Sequence, residues 1–194
     1  MSVKIKDKHF YVCSYGGCGS KMLYNYLNNF GKTYHVHSRY LPEKLTHIKN
    51  EHFTNTLVEN NIENYYVIYI YRNPVDAILS RFSNPNHLRH IQCKGSIKLD
   101  DVINTKQDLY NLDEFFTNYT SINSKRNYKI YCIKYEEFFE NIKTFNIELG
   151  IDNNPKFYPV KKEREKECPN YIALKNIYSD LINKMNNMSY ITII

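Results

Sequence analysis

The sequence has no apolar run of about 18 residues and no C-x-x-C pair of cysteines, and each absence excludes a class of protein. Without such a run there is no candidate membrane span, and the polar start "MSVKIKDKHF" is unlike a secretory signal. The five cysteines are odd in number and scattered, which argues against a disulfide framework and a zinc site. These absences predict a cytoplasmic protein with reduced thiols, no membrane span and no bound metal.

Composition and charge then narrow the class of ligand. A chain of 194 residues with 42% hydrophobic residues can bury a core, so we predict one domain over residues 1–194. The net charge of +6 would suit either nucleic acid or a small anion. Its basic residues are dispersed, except in "VKKEREKEC", where acids alternate with bases. We therefore expect a small anionic ligand and no nucleic acid; the sequence does not specify an oligomeric state.

Short apolar runs alternate with helical patterns along the chain. We predict strands at "HFYVCSY", "YYVIYIY" and "YKIYCIKY", with "TYHVHS" as a weaker fourth. The helical patterns are "SKMLYNYLNNF", "PEKLTHIKNEHFTNTLVENN", "PVDAILSRF", "DLYNLDEFFTNYTSIN", "EEFFENIKTFNIELG" and "NYIALKNIYSDLINKMNNM". This alternation predicts a three-layer α/β fold with a mainly parallel central sheet and helices on both faces. Residues 84–107 lack a clear period and predict a long loop or lid.

A glycine turn, "SYGGCGS" at residues 14–20, joins the first predicted strand to a helix. Such a junction brings backbone N–H groups and the positive end of a helix dipole to one spot, which suits a phosphate. The alternative is a tight turn with a glycine helix cap. The nucleoside-triphosphatase motif G-x-x-x-x-G-K-[ST] is absent, because the order here is Gly19-Ser20-Lys21. The dinucleotide motif G-x-G-x-x-G also fails, since Met22 stands at its last position.

Three separated motifs resemble those of the sulfotransferase family. "SYGGCGSKMLYNYL" is similar to the family's 5′-phosphosulfate loop, roughly T-Y-P-K-[SC]-G-T-T-x-L. "YYVIYIYRNPVDAILSRF" resembles its 3′-phosphate segment, a buried strand ending in R-[ND]-P-x-[DE]-x-x-x-S. "YKIYCIKYEEFFEN" resembles its strand followed by [RK]-Y-E-D-L, where we expect the carboxylates to be structural. The resemblance implies the P-loop NTPase-like sulfotransferase fold, the donor 3′-phosphoadenosine 5′-phosphosulfate (PAPS) and no metal.

The resemblance also implies which residues hold the donor. They are Tyr15, Gly16, Gly17, Cys18, Gly19, Ser20, Lys21, Arg72 and Ser80. Arg72 offers a planar fork to the 3′-phosphate, and Ser80, about two turns into the next helix, adds a hydroxyl. From the residues alone, Arg72 could instead pair with Asp76, and Ser80 could bond a helix carbonyl.

Sulfuryl transfer needs a base for the acceptor and a cation at the departing phosphate. Aligning "YHVHSRYLP" with the family puts Tyr40 where many members have histidine, so we choose His37 as the base; a merely hydrogen-bonded histidine is the alternative. The family's loop lysine falls at Gly17, so Lys21 on the first helical turn is our candidate cation. The resemblance implies that a lysine restored at position 17 would raise turnover if the loop geometry is otherwise that of the family.

Arg39 and one basic segment could also contribute to binding an anionic ligand. Arg39 could bind an anionic acceptor or the phosphosulfate. Lys161, Lys162 and Arg164 could lie over the 3′-phosphate, although a solvated face is the alternative.

The resemblance therefore implies a sulfotransferase that acts on a hydroxyl or amine acceptor. Sugar, phenol and protein tyrosine all remain open as acceptors. One alternative is a non-catalytic protein that keeps the nucleotide pocket. The other, a nucleotide kinase-like phosphotransferase, is disfavoured by the failed triphosphatase motif.

Overall fold

The computed structural model describes residues 8–45, 62–82, 97–161 and 169–194. Within these ranges five strands form one sheet in the order β2-β1-β3-β4-β5. The strands are β1 (His9–Cys13), β2 (Lys32–Val36), β3 (Tyr65–Tyr71), β4 (Ile130–Lys134) and β5 (Ile191–Ile193). The first four pair in parallel, and β5 runs antiparallel to β4. The predicted mainly parallel sheet is confirmed, and the weak fourth candidate is strand β2.

Eight α-helices lie in the described part of the chain. They are α1 (Ser20–Leu27), α2 (Pro74–Phe82), α3 (Leu99–Thr105), α4 (Leu112–Thr120), α5 (Tyr135–Phe138), α6 (Ile142–Glu148), α7 (Tyr171–Ile177) and α8 (Ser179–Asn186). Short 3₁₀ turns occur at Ile62–Asn64 and Pro155–Phe157. Among these helices, none is long and apolar enough to cross a membrane.

Helices cover both faces of the sheet. Since successive strand residues point to opposite faces, neighbouring residues of one strand join different cores. On β1, Tyr11 and Cys13 join a core with α2, α3, α4, α7 and α8. Their neighbours Phe10 and Val12 join a second core with α1, α5 and α6. Burial on both faces explains why these strands are continuously apolar instead of alternating. The predicted three layers are thus present.

One helix and one strand were not predicted. Helix α3 lies inside the predicted loop 84–107, so the loop prediction is wrong there; residues 84–96 lie outside the described ranges. The helix has only seven residues, so its apolar side of Leu99, Val102 and Ile103 is too short to give a clear period in the sequence. Asp101 caps it by accepting from the Lys98 N–H at 2.8 Å. Strand β5 spans only Ile191–Ile193, too few residues for a periodic signal.

Two predicted helices are each divided in the structure. The pattern over 136–150 forms α5 and α6, and the pattern over 170–188 forms α7 and α8. The latter pair is interrupted at Tyr178, whose backbone leaves the helical region with φ −101° and ψ 16°. The predicted helix "PEKLTHIKNEHFTNTLVENN" lies outside the described residues from position 46 onward.

The strand order places a crevice beside β1. The connection after β1 runs to β2 on one side, whereas the connection after the neighbouring strand β3 runs to β4 on the other side. At such a reversal the loops after the strands separate and leave room for a ligand. The glycine turn follows β1 and Arg72 follows β3, so both motifs reach this crevice.

Candidate functional site

A cavity of about 650 Å³ opens at this edge of the sheet. Its charged side chains are Lys21, Arg72 and Arg81, and two imidazoles, His35 and His37, also line it. In the part of the chain that the structure describes, no carboxylate lines the cavity. The volume lies in the range of small-molecule sites, about 300–1,000 Å³. The surplus of positive charge favours an anionic ligand.

The structure brings most of the predicted site residues to this one cavity. Those that line it are Gly16, Gly17, Gly19, Ser20, Lys21, His37, Arg72 and Ser80. The side chains of Tyr15 and Cys18 instead lie buried under the glycine turn. Burial raises the pKa of the Cys18 thiol to about 12, and its Sγ donates to the Gly16 carbonyl at 3.2 Å. Cys18 is therefore a neutral thiol that braces the turn.

The backbone of the glycine turn requires glycine at two positions that matter for function. Gly17 has φ +70° and Gly19 has φ +80°, a left-handed region that costs other residues about 1–2 kcal/mol. A Cβ at Gly17 would overlap the backbone carbonyl of Ala77 in α2. A Cβ at Gly19 would overlap the ring of Tyr135. Packing of the turn against its neighbours therefore leaves no room for a side chain at Gly17 or Gly19.

Helix α1 begins directly at the turn. Gly19 is its N-cap, and the first N–H groups of any α-helix lack partners within the helix. Gly19, Ser20 and Lys21 all line the cavity, so this helix end borders the ligand space. The Ser20 hydroxyl lies 2.8 Å from Nε2 of His35. The turn and the helix end together form a cradle that suits an anion.

Arg72 lies on the opposite side of the crevice and contacts the turn. Its Nη1 donates to the Gly17 carbonyl at 3.3 Å, and its guanidinium lies 4.8 Å from the centre of the Tyr135 ring. The pairing with Asp76 also exists, but at 3.8 Å between Nη2 and Oδ2. The Arg72 Nε–H is buried and has no hydrogen-bond partner among the described residues. An anion in the cavity could therefore satisfy a donor of Arg72 that the protein leaves unmatched.

Two histidines reach the cavity from β2 and the residue after it. Their rings lie 4.4 Å apart, and His37 Nδ1 lies 2.8 Å from the Ser14 carbonyl oxygen. Because a carbonyl only accepts hydrogen bonds, Nδ1 carries the proton and Nε2 is the proton-accepting nitrogen of the neutral ring. His37 therefore has the tautomer that a general base needs.

Lys21 lies at the mouth of the cavity. Its side chain is exposed, and its ammonium lies 4.2 Å from the centre of the Tyr24 ring one turn along α1. The flexible lysine stem can leave this ring to reach an anion at the helix end.

Arg81 lines the cavity, and the sequence analysis did not predict it. It is only 1% exposed, its Nη1 donates to the Tyr15 carbonyl, and its guanidinium lies 4.6 Å from the Tyr15 ring centre. A signal was present in the sequence. Ala77 and Ile78, which precede Arg81 by one helical turn, are core residues, so α2 carries a cation on its apolar face.

The other predicted basic residues have different positions. Arg39 pairs with Glu114 at 3.1 Å and does not line the cavity. Lys161 is exposed, and Lys162 and Arg164 lie outside the described residues. Phe157, Pro159 and Val160, just before this basic segment, do border the cavity.

The carboxylates of the third motif, Glu136 and Glu137, bond to groups near the ends of β3 and β4. Glu136, which follows β4, accepts from the backbone N–H of Asn73 at 2.8 Å. Asn73 in turn caps α2, since its Oδ1 accepts from the Val75 N–H at 3.0 Å. Glu137 pairs with Lys134 at 2.9 Å. Within the described residues, no three metal-ligating side chains come together as a metal site would require.

Comparison with protein families identifies the chain. A family described as Sulfotransferase domain matches residues 32–145, which include β2, the Arg72 motif and the Glu136 motif but begin after the glycine turn. No curated protein and no solved structure gave a match. Since the family match spans more than half of the 194 residues, the chain belongs to the sulfotransferase family.

Proposed function

We propose that this protein is a cytoplasmic enzyme that binds PAPS in the cavity and transfers its sulfuryl group to a hydroxyl or amine acceptor. The observation that carries the proposal is a cavity whose described charged lining is entirely cationic, at the crevice where the turn and Arg72 meet. In this proposal residues 1–194 form one domain with the P-loop NTPase-like sulfotransferase fold. Its acceptor is a sugar, a phenol or a protein tyrosine.

The residues present fit such a donor. The backbone of the glycine turn and the start of α1 would hold the 5′-phosphosulfate, because Gly17, Gly19 and Ser20 all line the cavity. The unmatched Nε–H of Arg72 and the hydroxyl of Ser80 would hold the 3′-phosphate. The aromatic rings of Tyr135 and Phe157 border the same cavity and would pack against the adenine ring of the donor.

The chain's own residues would then support transfer. The bound donor supplies an activated sulfuryl group. His37 would take the acceptor's proton at Nε2, since its Nδ1 proton is held by the Ser14 carbonyl. Lys21 would place its ammonium near the departing phosphate. No step requires a metal ion.

Calorimetric titration with adenosine 3′,5′-bisphosphate and with ATP–magnesium tests this proposal. Tight binding of the bisphosphate alone supports the sulfotransferase site, whereas preference for ATP–magnesium would favour a kinase-like phosphotransferase. Assays with PAPS and a panel of sugars, phenols and tyrosine peptides then measure turnover. Bisphosphate binding without turnover on any acceptor would favour the non-catalytic alternative, for which Gly17 in place of lysine is the specific argument.

Replacing Arg72 by alanine should weaken adenosine 3′,5′-bisphosphate binding by about 2 kcal/mol or more, which is about 30-fold. Charged hydrogen bonds to the 3′-phosphate would be lost. Adenosine 5′-monophosphate lacks that phosphate, so calorimetry should show a much smaller loss for it.

Arg126→Ala is the matched control for this experiment. Arg126 is also half-buried and donates to backbone carbonyls, those of Asn118 and Ser121 at 3.3 Å, but it does not line the cavity. This variant should bind both ligands as the wild type does. Equal losses for both ligands in a folded Arg72→Ala protein would refute the assignment of Arg72 to the 3′-phosphate.

Replacing Lys21 by alanine should lower turnover about a hundredfold or more, because one donor at the developing charge is lost. Nucleotide affinity should fall by about tenfold or less, since the backbone cradle remains. Lys32→Ala is the control, because Lys32 is likewise exposed beside a tyrosine ring, 5.4 Å from the Tyr34 centroid, but outside the cavity. Undiminished turnover of Lys21→Ala in a steady-state assay would eliminate Lys21 as the catalytic cation.

A further inference from the structure

We propose that Arg81 supplies the permanent positive charge of the 5′-phosphate site from beneath the glycine turn. It acts as a positioning residue: its guanidinium fixes the turn and its charge attracts the anion held above it. This inference rests on the proposed donor site and adds to it the source of charge that Gly17 cannot provide.

The geometry places this guanidinium directly against the turn. Nη1 of Arg81 donates to the Tyr15 carbonyl, and the guanidinium stacks on the Tyr15 ring at 4.6 Å. A Cβ at Gly16 would overlap the same guanidinium, so Arg81 and the turn backbone are in direct contact. Arg81 also lines the cavity. The Arg81 charge therefore lies directly beside the cavity, in contact with the backbone of the turn.

Burial makes that charge effective. Arg81 is 1% exposed and is one of the largest fully buried side chains in the described part of the chain. An arginine stays protonated at such a site, and water screens a buried charge weakly. Burial raises the pKa of the Cys18 thiol in the turn; Arg72 acts to lower it, Glu136 to raise it and Arg81 to lower it, so the charge of Arg81 acts on the turn alongside these two groups.

The position of α2 connects Arg81 with Gly17. The Ala77 carbonyl of α2 occupies the space of a Cβ at Gly17, and Arg81 lies one helical turn further along the same helix. The close approach that excludes a side chain at position 17 therefore also brings Arg81 under the turn. Lys21 adds a second, mobile charge from the solvent side.

A crossed experiment tests the proposal with two variants and two ligands. Arg81→Met and Arg72→Met are titrated calorimetrically with adenosine 5′-monophosphate and adenosine 3′-monophosphate. Arg81→Met should weaken the 5′-ligand by about tenfold to a hundredfold and the 3′-ligand by less than about threefold. Arg72→Met should show the reverse pattern. Equal binding of the 5′-ligand by Arg81→Met and wild type would overturn the proposal.

Arg81→Lys separates charge from shape. Lysine keeps the charge and loses the planar fork, so we expect affinity for the 5′-ligand within about fivefold of wild type. Affinity should fall with ionic strength less steeply in Arg81→Met than in wild type or Arg81→Lys. If Arg81→Lys binds as weakly as Arg81→Met, Arg81 is only a structural brace and the proposal is wrong. If Arg81→Met does not unfold cooperatively on heating, Arg81→Lys and its salt dependence decide the question.

Inorganic pyrophosphate distinguishes failure of this inference from failure of the proposed function. Pyrophosphate binding that depends on Arg81, without binding of any adenosine nucleotide, would reject the proposed function and support Arg81 as the cation of an anion site. A wild-type protein that binds neither pyrophosphate nor nucleotide would overturn both. Nucleotide binding that is the same in wild type and Arg81→Met would overturn this inference alone.

Discussion

Replacing His37 by glutamine is expected to lower turnover by about two to four orders of magnitude, the usual contribution of a general base. The Ser14 carbonyl holds the Nδ1 proton of His37 at 2.8 Å, which leaves Nε2 as the basic nitrogen at the cavity. Glutamine keeps the polarity and approximate length of histidine but cannot accept a proton at neutral pH. Nucleotide affinity should stay within about threefold in calorimetry, because His37 is assigned to the acceptor and has no assigned contact with a phosphate.

His35→Gln is the matched variant for this prediction. His35 lies in β2, two residues before His37, with its ring 4.4 Å from that of His37, but its Nε2 is 2.8 Å from the Ser20 hydroxyl. We expect it to affect nucleotide affinity more than turnover, because Ser20 is the first residue of α1, the helix end proposed to hold the phosphate. A larger loss of turnover in His35→Gln than in His37→Gln would move the base to His35.

Much of the fold could be predicted because its strands are buried on both faces. Runs such as "YYVIYIY" place Tyr69 in one core and Ile70 in the other, so every position is apolar and the signal is strong. The strand order β2-β1-β3-β4-β5, which creates the crevice, was not predicted, because parallel pairing alone allows several orders. Helix α3, with only seven residues, is too short to carry a comparable signal.

The residues that line the cavity were predicted where they belong to a motif of fixed spacing, and were missed where packing brings them there. Arg72 and Ser80 stand at the ends of a nine-residue motif, and both line the cavity. Arg81 belongs to the site because α2 packs against the glycine turn, a contact between segments far apart in sequence. The side chains of Tyr15 and Cys18, predicted by the same spacing, lie under the turn, and the spacing alone cannot show this.

The glycine turn departs most from the family pattern, and the structure gives a physical reason. The family match begins at residue 32 and leaves the turn out. Helix α2 packs closely against the turn: its Ala77 carbonyl occupies the space of a Cβ at Gly17, and its Arg81 guanidinium occupies that of a Cβ at Gly16. A side chain at position 17 is therefore excluded by this packing, and charge for an anion has to come from elsewhere.

Replacing Gly17 by lysine is expected to reduce nucleotide affinity by more than about a hundredfold, although the resemblance alone implies a gain in turnover. The φ of +70° is costly for lysine, by about 1–2 kcal/mol, and the new Cβ would overlap the backbone carbonyl of Ala77. Either the turn or α2 must move, which would separate the backbone cradle from Arg72. The melting temperature should fall by roughly 5–10 °C, and calorimetry with adenosine 3′,5′-bisphosphate measures the loss of binding.

Gly150→Lys is the control that separates backbone strain from damage to the cradle. Gly150 also has a positive φ of +56°, but its Cβ would meet only the Lys8 ammonium, with Nζ at 3.2 Å, which donates to the Gly150 carbonyl at 2.8 Å; Gly150 does not line the cavity. This variant should lose about 1–2 kcal/mol of stability and bind adenosine 3′,5′-bisphosphate as the wild type does. If Gly17→Lys instead binds the nucleotide normally and turns over faster, α2 does not restrict position 17, and the family's lysine can be restored there.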